Sequence, residues 1–568
     1  MVDPGSTHTR QPAAATTATT AAPMEGGRVL VDALLDRGVR RIFSVSGGPI
    51  NPVYHGTVGT EMRLIHTRHE AAAGFMADAT ARLSAVPGVC VVTLGPGVTN
   101  TVTPAITALR GGVPLLIVGG QASTRDVDRE AGMSIDPLPI MASVTKWSAR
   151  VLDADRIPEY VYRAWRHMFD GRPGPVFLEI PADVLGASVE DLSSARVEPF
   201  ERVWPRGTDE SVSAAASLIR DARRPVLIVG DDAYWAGAGE LACRFVEETG
   251  MPFFLARLAR GVLPERHRQS AGVAYTPANP ALRLALAEAD VVVLLGHHLE
   301  FDLEFGHTLG TGVAIVQVTA DAGRLHENRH AAVTVYSGPQ HFLRDIGEVS
   351  SDIDRDWATG IVDAWQQERS QLTTLAAGGG ERLHPIALVD AVVDAAPKDT
   401  IFVSSHGNVD FWADARVLLD RPGHYLRAGQ SGALCAEIPY GIAARLARPD
   451  QPVIVFVGDG GFGYHGLELD TAARYGAPIV VVIGDDRKWG AIAAPQARRY
   501  GAEVEMDLPE RDWPAFAAAL GGIGYRAERP DDVSAAIRDA LGRPEPAVVH
   551  VPIDLAESPY MRYISTPH

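Results

Sequence analysis

The stretch PVIVFVGDGGFGYHGLELDTAARYGAPIVVVIGDDRKWG, at positions 452–490, contains two apolar runs, VIVFV and IVVVI, each followed by acidic residues. The runs have the composition of buried strands, and residues 467–475 between them have a helical pattern. The stretch therefore predicts a β-α-β unit of a parallel sheet. Asp459 follows the first strand, and Asp485 and Asp486 follow the second. Ligands bind at the carboxyl ends of the strands in an open parallel sheet, so these residues predict a ligand site.

The glycine-rich segment GDGGFG, which starts at Gly458, supports two interpretations. It fits the dinucleotide fingerprint G-x-G-x-x-G, and a carboxylate follows at the end of the next strand. However, Asp459 would place a negative charge beside a pyrophosphate, which is repulsive unless a cation lies between them. A Mg²⁺ ion held by Asp459, Asp486 and a diphosphate removes that conflict, and the amides of Gly460 and Gly461 can then approach phosphate oxygens.

Length, composition and charge limit the class of protein. A chain of 568 residues is long enough for about three domains. Its 46% hydrophobic and 21% charged content is typical of a soluble globular protein. A net charge of −18 argues against nucleic acid or an anionic membrane as partner. Three scattered cysteines suit a reducing cytoplasm, and no apolar run is long enough for a membrane span. We therefore expect a cytoplasmic protein with a small-molecule substrate.

Strand and helix patterns alternate in three parts of the chain, which predicts three α/β domains with doubly wound parallel sheets. The expected strands lie at 41–45, 89–93, 115–118, 176–180, 226–229, 253–255, 291–295, 314–318, 401–404, 453–457, 479–483 and 547–551. Polar stretches at 190–206 and 366–382 separate the domains. The expected divisions are a disordered tail at 1–24, domains at 25–189, 207–350 and 380–556, and a C-terminal tail at 557–568. The first and third domains end alike, in GPVFLEIPAD and EPAVVHVPID, which predicts two related folds around a different middle domain.

Two segments of the third domain resemble the signatures of one enzyme family. The spacing of Asp459 and Asp486 resembles the GDG…NN signature of thiamine diphosphate (ThDP) enzymes, with two aspartates in place of the usual Asn-Asn. GALCAEIP, at 432–439, resembles the family's GTMGxGLP, although Cys435 and Glu437 replace two of its glycines. The added acidic residues make the metal site more negative than is usual in the family.

The first domain carries the other half of the resemblance. TRHEAAAG at 67–74 resembles the family's RHE-x-x-A-G, and TLGPGVTN at 93–100 resembles its SGPGATN turn. The chain thus resembles the acetolactate synthase-like superfamily of ThDP enzymes, and it is closest in character to 2-hydroxyacyl-CoA lyase and oxalyl-CoA decarboxylase. This resemblance implies pyrimidine-binding, central and pyrophosphate-binding domains in that order, with ThDP and Mg²⁺ as cofactors.

The resemblance also implies roles for individual residues. Glu70 would polarise the aminopyrimidine of ThDP, whose imine can then remove the C2 proton of the thiazolium, and Gln121 matches a second catalytic position. The implied cofactor-binding residues are Glu70, Asn408, Gly432, Leu434, Asp459, Gly460, Gly461 and Asp486. The implied metal ligands are Asp459, Asp486 and the carbonyl of Lys488, and the implied substrate pocket contains Ile492 and Ala493.

Segments of the middle domain bear on the reaction. LARGVLPERH at 258–267 and LGHHLEF at 295–301 resemble stretches of oxalyl-CoA decarboxylase and 2-hydroxyacyl-CoA lyase. The favoured function is therefore reversible cleavage of a short 2-hydroxyacyl-CoA to formyl-CoA and an aldehyde or ketone. The alternatives are an acetolactate synthase-like carboligase, a 2-oxo acid decarboxylase, and a non-catalytic homologue that binds ThDP. Four arginines of this region, Arg257, Arg260, Arg266 and Arg268, are candidates for binding a nucleotide phosphate or form a solvated basic face.

Two further expectations follow from the resemblance. Glu70 and Asp459 lie in domains at opposite ends of the chain, and the family places one subunit's pyrimidine domain against another's pyrophosphate domain. The resemblance therefore implies a homodimer or homotetramer with the active site between subunits. The segment WGAIAAPQ, at 489–496, is expected to lie over the reactive carbon, yet it offers no carboxylate for proton transfer.

Overall fold

A computed structural model describes residues 24–84, 86–190, 200–376, 380–559 and 561. These residues form three six-stranded sheets, and every pair of neighbouring strands within them is parallel. The central strands are rich in Val, Ile and Leu and are buried on both faces, as expected of a parallel sheet between layers of helices. The predicted fold class, with three parallel-sheet α/β domains, is confirmed.

The spatial order of the strands in each sheet differs from their order along the chain. From edge to edge, the first sheet contains Arg63–His66, Arg41–Ser44, Gly88–Val92, Leu115–Gln121, Val176–Pro181 and Trp147–Arg150. The middle sheet contains Ser270–Val273, Phe253–Leu255, Pro225–Val229, Val291–Leu295, Ala314–Thr319 and Val333–Tyr336. The third sheet contains Tyr425–Arg427, Ile401–Ser404, Val453–Gly458, Val480–Asp485, Ala547–Pro552 and Ile523–Arg526.

The order of the strands distinguishes the middle domain from the other two. Counted along each domain, the first and third sheets both have the order 2-1-3-4-6-5, whereas the middle sheet has the order 3-2-1-4-5-6. The middle order is that of dinucleotide-binding folds. The two outer domains therefore share one fold, as their similar endings predict. In the third sheet the chain changes direction between Ile401–Ser404 and Val453–Gly458, and such a switch point opens a crevice that binds ligands.

Helices cover the faces of the three sheets. The first domain contains Gly26–Leu35, Asn51–Gly56, Glu70–Ser84, Pro96–Thr99, Val102–Gly111, Leu138–Ala142, Ile157–Phe169 and Ala182–Leu185. The middle domain contains Asp209–Asp221, Asp231–Trp235, Gly239–Thr249, Pro280–Glu288 and Pro339–Asp345, and Arg355–Ala376 follows it. The third domain contains Pro385–Ala395, Asn408–Arg416, Glu437–Ala447, Asp459–His465, Leu469–Arg474, Gly490–Tyr500, Trp513–Ala519 and Pro530–Leu541. No described helix is both long enough and apolar enough to cross a membrane.

The strands that the sequence does not predict all lie at the edges of the sheets. Each sheet has two edge strands, and none of the six is among the expected strands. They are Arg63–His66, Trp147–Arg150, Ser270–Val273, Val333–Tyr336, Tyr425–Arg427 and Ile523–Arg526. An edge strand has a neighbour on one side only, so it is short and tolerates polar residues, and it lacks the apolar run that marks a central strand.

The helical part of 452–490 differs from its prediction. The sequence predicts one helix at 467–475, but Asp459–His465 starts directly after the strand, and Leu469–Arg474 follows a short 3₁₀ turn. The glycines of this segment suggest a loop. In the structure they allow close packing instead, because a Cβ on Gly460 would lie 2.6 Å from the ring of Trp489. A carboxylate in the first turn also stabilises a helix.

Two of the expected divisions also differ. Met24–Glu25 forms a short antiparallel pair with Ser188–Val189, so residue 24 is part of the first domain rather than of a tail. The helix Arg355–Ala376 extends into 366–382, so much of the polar stretch that the sequence places between the second and third domains is helical. Residues 1–23, 191–199 and 562–568 lie outside the described residues, so the expected tails and most of the 190–206 linker are not described.

The first and third domains share one hydrophobic core. Helix Glu70–Ser84 packs against Glu437–Ala447, and both contribute to the largest cluster of buried side chains. The loop before Glu70 is attached to the third domain as well, because the backbone amides of Arg68 and His69 donate to Glu468 Oε1 at 2.9 and 3.1 Å. The start of helix Glu70–Ser84 is thus fixed by contacts from two domains.

Candidate active site

A cavity lies at the switch point of the third sheet. It is lined by residues that follow three neighbouring strands, namely Asn408 after the first, Asp459 after the next, and Asp486 after the third. Gly460, Gly461, Gly432, Leu434, Lys488 and Ile492 also line it. The structure therefore brings together nine of the residues that the sequence proposes for this site.

Negative charge is concentrated at one side of this cavity. Burial raises the pKa of Asp459 to about 8, and the charges of Asp485 and Asp486 add to that rise. Burial also raises the pKa of Asp486 to about 6. A raised pKa at two neighbouring carboxyl groups indicates that too little positive charge compensates them. A divalent cation would supply that charge, and carboxylate oxygens are its preferred ligands.

Asn408 leaves a buried polar atom without a partner. Its Nδ2 donates to Asp486 Oδ2 at 3.3 Å and to the carbonyl of Ala556 at 3.0 Å. Its Oδ1, in contrast, is buried and has no hydrogen-bond partner among the described residues. Because buried acceptors in folded proteins are nearly always satisfied, this oxygen marks a place where a bound group would supply a donor or a cation.

Lys488 contacts the carboxylate of Asp486 through its backbone. Its amide donates to Asp486 Oδ1 at 3.1 Å, which fixes the turn after the strand. Its ammonium group is paired with Glu503 at 2.5 Å and Asp507 at 2.8 Å. The side chain is therefore occupied elsewhere, and only the backbone of Lys488 remains for the metal site that the sequence predicts.

Small residues form the floor of the cavity. A Cβ on Gly461 would lie 3.1 Å from Val457, and one on Gly460 would collide with Trp489, so side chains at either position would push into the surrounding structure. Gly432 has a φ of +71°, which a side chain rarely permits, and half-buried Leu434 follows it, with its carbonyl 3.5 Å from where a Cβ on Gly461 would be. Backbone amides at such a floor can approach a phosphate group closely.

Asp485 belongs to a buried chain of hydrogen-bonded polar groups that includes Asp459. His550 Nε2 lies 2.7 Å from Asp485 Oδ2, and Asp485 also contacts the carboxyl of Asp459. Burial alone would raise the pKa of Asp485, but the hydrogen bond and charge of His550 hold it below its ordinary value. Asp485 is only 3% exposed, so a change at this position disturbs the interior of the third domain.

Replacing Asp485 with alanine is therefore expected to destabilise the protein even without cofactor. The change removes the partner of His550 Nε2, whose Nδ1 already lacks one among the described residues, and an unsatisfied buried group costs about 1–3 kcal/mol. The melting temperature of cofactor-free Asp485→Ala should fall clearly. Asp450→Ala, at the exposed opposite end of strand Val453–Gly458, is the control and should melt like the parent. Equal melting temperatures for both variants would contradict this role.

Glu70 lies outside this cavity. It is the first residue of helix Glu70–Ser84, it is half-buried, and Asn100 Nδ2 donates to its Oε2 at 3.0 Å. Asn100 ends the TLGPGVTN turn, so the structure joins the two segments of the first domain that the sequence singles out. Glu70 does not line the cavity that contains Asp459. Within one chain, the predicted proton-activating group and the predicted metal ligands are thus not brought together.

Gln121 is held by partners of its own. It is 1% exposed at the end of strand Leu115–Gln121. Its Nε2 donates to Glu179 Oε1 at 2.5 Å and to the carbonyl of Ile135 at 2.8 Å, and its Oε1 accepts from Ser134 Oγ at 2.8 Å. The sequence proposes a catalytic role, but in the structure Gln121 fixes the 131–136 loop against the sheet and leaves no free group for a substrate.

The segment after the metal site forms the helix Gly490–Tyr500. Ile492 is 54% exposed and lines the cavity, in agreement with its predicted place in a pocket. Ala493 is fully buried and does not line it, whereas Ala491 does. A helix turns by about 100° per residue, so after Ala491 and Ile492 the chain turns Ala493 away from the cavity and into the core. Ala491 therefore replaces Ala493 as the small residue at this wall.

Three of the four candidate arginines of the middle domain are already paired. Arg257 contacts Glu300 at 2.6 Å and Asp302 at 2.9 Å. Arg260 binds Glu265 through two hydrogen bonds of 2.8 and 2.9 Å. Similarly, Arg266 pairs with Asp420, and Arg268 lies on a separate surface cavity. The suggestion that Arg257 and Arg260 bind a nucleotide phosphate is therefore wrong for this structure, because each is buried against carboxylates.

Sequence reasoning missed two groups near the cavity. Asp410 and Glu437 are buried together, and burial raises the pKa of Asp410 to about 7 and the pKa of Glu437 well above its ordinary value. Glu437 Oε1 lies 3.7 Å from where a Cβ on Gly461 would be, so it supports the cavity floor. The C-terminal segment also reaches the site, since Met561 lines the cavity. Glu437 is visible in the sequence as a replaced glycine, whereas no pattern marks Met561.

Comparison with known proteins agrees with this arrangement. Residues 24–140, 212–346 and 405–551 match, respectively, the N-terminal TPP binding domain, the central domain and the C-terminal TPP binding domain of thiamine pyrophosphate enzymes. The chain belongs to the thiamine pyrophosphate enzyme family. Thiamine pyrophosphate and thiamine diphosphate are two names for one compound, so the predicted family is confirmed, and the cavity lies in the part of the chain that matches the C-terminal TPP binding domain.

Relatives within this thiamine pyrophosphate family differ in their described activity. The acetolactate synthase large subunit IlvG of Mycobacterium tuberculosis is 30% identical over 533 residues, which cover 94% of this chain and 96% of that protein. The 2-hydroxyacyl-CoA lyase 2 of Bos taurus is 30% identical over 576 residues, covering 92% of this chain and 88% of that protein. The acetolactate synthase of Bacillus subtilis is 28% identical over 548 residues, covering 94% of each chain. Both activities that the sequence suggests are thus represented among relatives of similar identity.

Proposed function

We propose that the protein is a ThDP- and Mg²⁺-dependent lyase and carboligase that cleaves a short 2-hydroxyacyl-CoA to formyl-CoA and an aldehyde or ketone. The observation that carries this proposal is the cavity at the switch point, where Asp459, Asp486 and the unpartnered oxygen of Asn408 meet. When bound, ThDP supplies a carbanion that adds to a carbonyl carbon and then holds the electron pair released when the carbon–carbon bond breaks.

The residues of the chain divide the work of holding this cofactor. Asp459, Asp486 and the carbonyl of Lys488 would bind Mg²⁺, since they offer the hard oxygen ligands that this ion requires. Gly460 and Gly461 would contact the diphosphate through their amides. Asn408 would offer its unpartnered oxygen to the metal or to a donor group of the cofactor, because its Nδ2 already donates to two acceptors. The carbonyl of Gly432 and the amide of Leu434 would hold the pyrimidine, and the Leu434 side chain would lie between the two rings of the cofactor. A proton at the pyrimidine would be held by Glu70.

This division of work requires a second copy of the chain. Glu70 does not line the cavity that contains Asp459 within one chain, so we infer that the Glu70 of another subunit completes it. The expected assembly is a homodimer or homotetramer, in which each cavity takes its carboxylate from a neighbour. Such symmetric assemblies are the commonest form of soluble oligomers. The cytoplasmic location expected from the composition remains part of this proposal.

Two classes of substrate are candidates for this cavity. The middle-domain segments at 258–267 and 295–301, together with the relatives named 2-hydroxyacyl-CoA lyase 2, support a 2-hydroxyacyl-CoA. Relatives of equal identity named acetolactate synthase support a second candidate, the condensation of 2-oxo acids. Both candidates use the same cavity and the same bond-breaking chemistry, so the cavity alone does not choose between them.

Product analysis distinguishes these functions. Purified protein with ThDP and Mg²⁺ is incubated with 2-hydroxybutanoyl-CoA or, separately, with pyruvate, and the products are identified by mass spectrometry. The proposed function predicts formyl-CoA and propanal from the thioester. Acetolactate from pyruvate would instead support the second candidate. ThDP binding without any product from either substrate would support a non-catalytic homologue.

A glutamate at Ala491 is expected to raise the lyase kcat. Cleavage requires a group that takes the 2-hydroxyl proton, and residues 489–500 contain no carboxylate. General acid–base catalysis contributes about 10²–10⁴-fold when fully supplied, and water already provides part of it, so we expect the lower end. The comparison is Ala493→Glu, which should fail to fold properly because position 493 is fully buried. A folded Ala491→Glu variant that binds ThDP with unchanged kcat would show that this wall does not face the reacting carbon.

A further inference from the structure

A second cavity lies beside the candidate cofactor cavity, where the three domains meet. The two cavities share His406, Phe411 and Gly432 in their linings. A Cβ on Gly432 would meet no atom within 4 Å, so the boundary between the cavities is open at that point. A group that projects from the cofactor cavity past Gly432 would therefore enter the second cavity.

The walls of this second cavity are mainly apolar. Four aromatic rings line it, those of Tyr275 and Phe301 from the middle domain and those of Phe411 and Tyr425 from the third. Leu255 and other aliphatic residues of the middle domain complete the walls. Aromatic walls of this kind favour flat apolar groups, which gain both buried area and ring contacts.

The charged residues of the lining are already neutralised. Arg257 is held by Glu300 and Asp302, and Arg260 by Glu265. In the same way, Arg427 NH1 lies 3.0 Å from Asp414, and Arg82 is paired with Asp78 inside helix Glu70–Ser84. A phosphate group could reach one of these guanidinium groups only by displacing a buried carboxylate, which would leave an uncompensated buried charge.

We propose that this second cavity binds an uncharged apolar substituent of the substrate, with a phenyl ring as the best fit, and that the nucleotide part of a CoA thioester lies elsewhere. The inference rests on the proposed function, since the substituent is the one carried by the 2-hydroxylated carbon that leaves as the aldehyde. The apolar walls favour such a group, and the paired arginines disfavour phosphate. Phe301, at the mouth of the cavity, would then be a determinant of substrate specificity.

A binding experiment tests the cavity without any reaction. The holoenzyme is titrated with 4-phenylbutanamide, a neutral probe, or with ADP, and binding is measured by calorimetry. Phe301→Asp is compared with Phe305→Asp, because both rings are about equally exposed, at 46% and 45%, but only Phe301 lines the cavity. We expect Phe301→Asp to weaken probe binding by about tenfold, and Phe305→Asp to leave it unchanged. Displacement of the probe by ADP, or equal binding by both variants, would overturn the assignment.

A turnover experiment separates this inference from the proposed function. The ratio of kcat/KM for 2-hydroxy-4-phenylbutanoyl-CoA to that for 2-hydroxypropanoyl-CoA should fall about tenfold from the parent to Phe301→Asp, but not to Phe305→Asp. Probe binding that depends on Phe301, without turnover of either thioester, would reject the proposed reaction and keep the cavity assignment. Turnover with an unchanged ratio in Phe301→Asp would reject the cavity assignment and keep the reaction.

Discussion

Replacing Glu70 with glutamine is expected to lower turnover by about 10²–10⁴-fold while the cofactor remains bound. The amide of glutamine cannot hold a proton as a carboxyl group does, and proton transfer by a positioned group contributes a factor of this size. Binding should survive because the proposed metal and diphosphate contacts all lie in the third domain, around Asp459 and Asp486. Turnover is measured at saturating ThDP and Mg²⁺, and cofactor affinity is measured separately by calorimetry.

The control for this variant is Glu61→Gln in the same domain. Glu61 has a side chain that is 81% exposed and pairs only weakly with Arg40 at 3.4 Å, so its replacement should leave turnover unchanged. If Glu70→Gln retained turnover within about tenfold of the parent, Glu70 would not be the proton-activating group. The hydrogen bond from Asn100 would then be its whole role, as a support for the TLGPGVTN turn.

Replacing Asp459 with alanine is expected to abolish activity by a different route, through loss of the cofactor. Asp459 is 6% exposed, and its carboxyl lies among other acidic groups whose repulsion a cation would relieve. Losing a residue that merely supports a metal ligand costs about 10–100-fold in metal affinity, so losing a ligand should cost at least as much. ThDP affinity is measured across a magnesium titration, and the loss should shrink as magnesium rises.

Asp450→Ala is the matched control for Asp459→Ala. It removes a carboxylate at the exposed, opposite end of the same strand, so the net charge of the chain changes equally. This variant should bind ThDP as the parent does at every magnesium concentration. Parental affinity of Asp459→Ala across the whole titration would show that Asp459 is not a metal ligand, and the cation site would have to be sought elsewhere in the cavity.

The sequence identifies the centre of this site because the residues there lie next to recognisable strands in the chain. Asp459 and Asp486 each follow an unmistakable apolar strand, and the carboxyl ends of adjacent parallel strands meet at one edge of a sheet. The glycines between them identify the floor for the same reason. Other residues of the site cannot be found in this way, because their partners are far away in the sequence. Asp485 is hydrogen-bonded to His550, 65 positions away, and within VVHVP that histidine has the pattern of an ordinary core position.

The sequence also overstates what some residues are free to do. Gln121 and Arg257 are polar residues at strand ends, where functional groups often lie, and each is nevertheless bound to partners within the fold. Sequence patterns give the position of a side chain but not the groups that satisfy it. Ala493 shows the same limit on a smaller scale, because only the rotation of the helix decides that Ala491 lines the cavity instead.

A mixing experiment tests most directly whether one cavity is completed by Glu70 of another chain. Inactive Glu70→Gln and inactive Asp459→Ala proteins are combined under conditions that allow subunit exchange, and heteromer formation is verified by native mass spectrometry. If each site takes Glu70 from one subunit and Asp459 from its neighbour, a mixed dimer has one intact site, and about a quarter of the parental activity returns. If each chain builds its own site, verified mixed dimers would remain inactive, and the proposed shared site would be wrong.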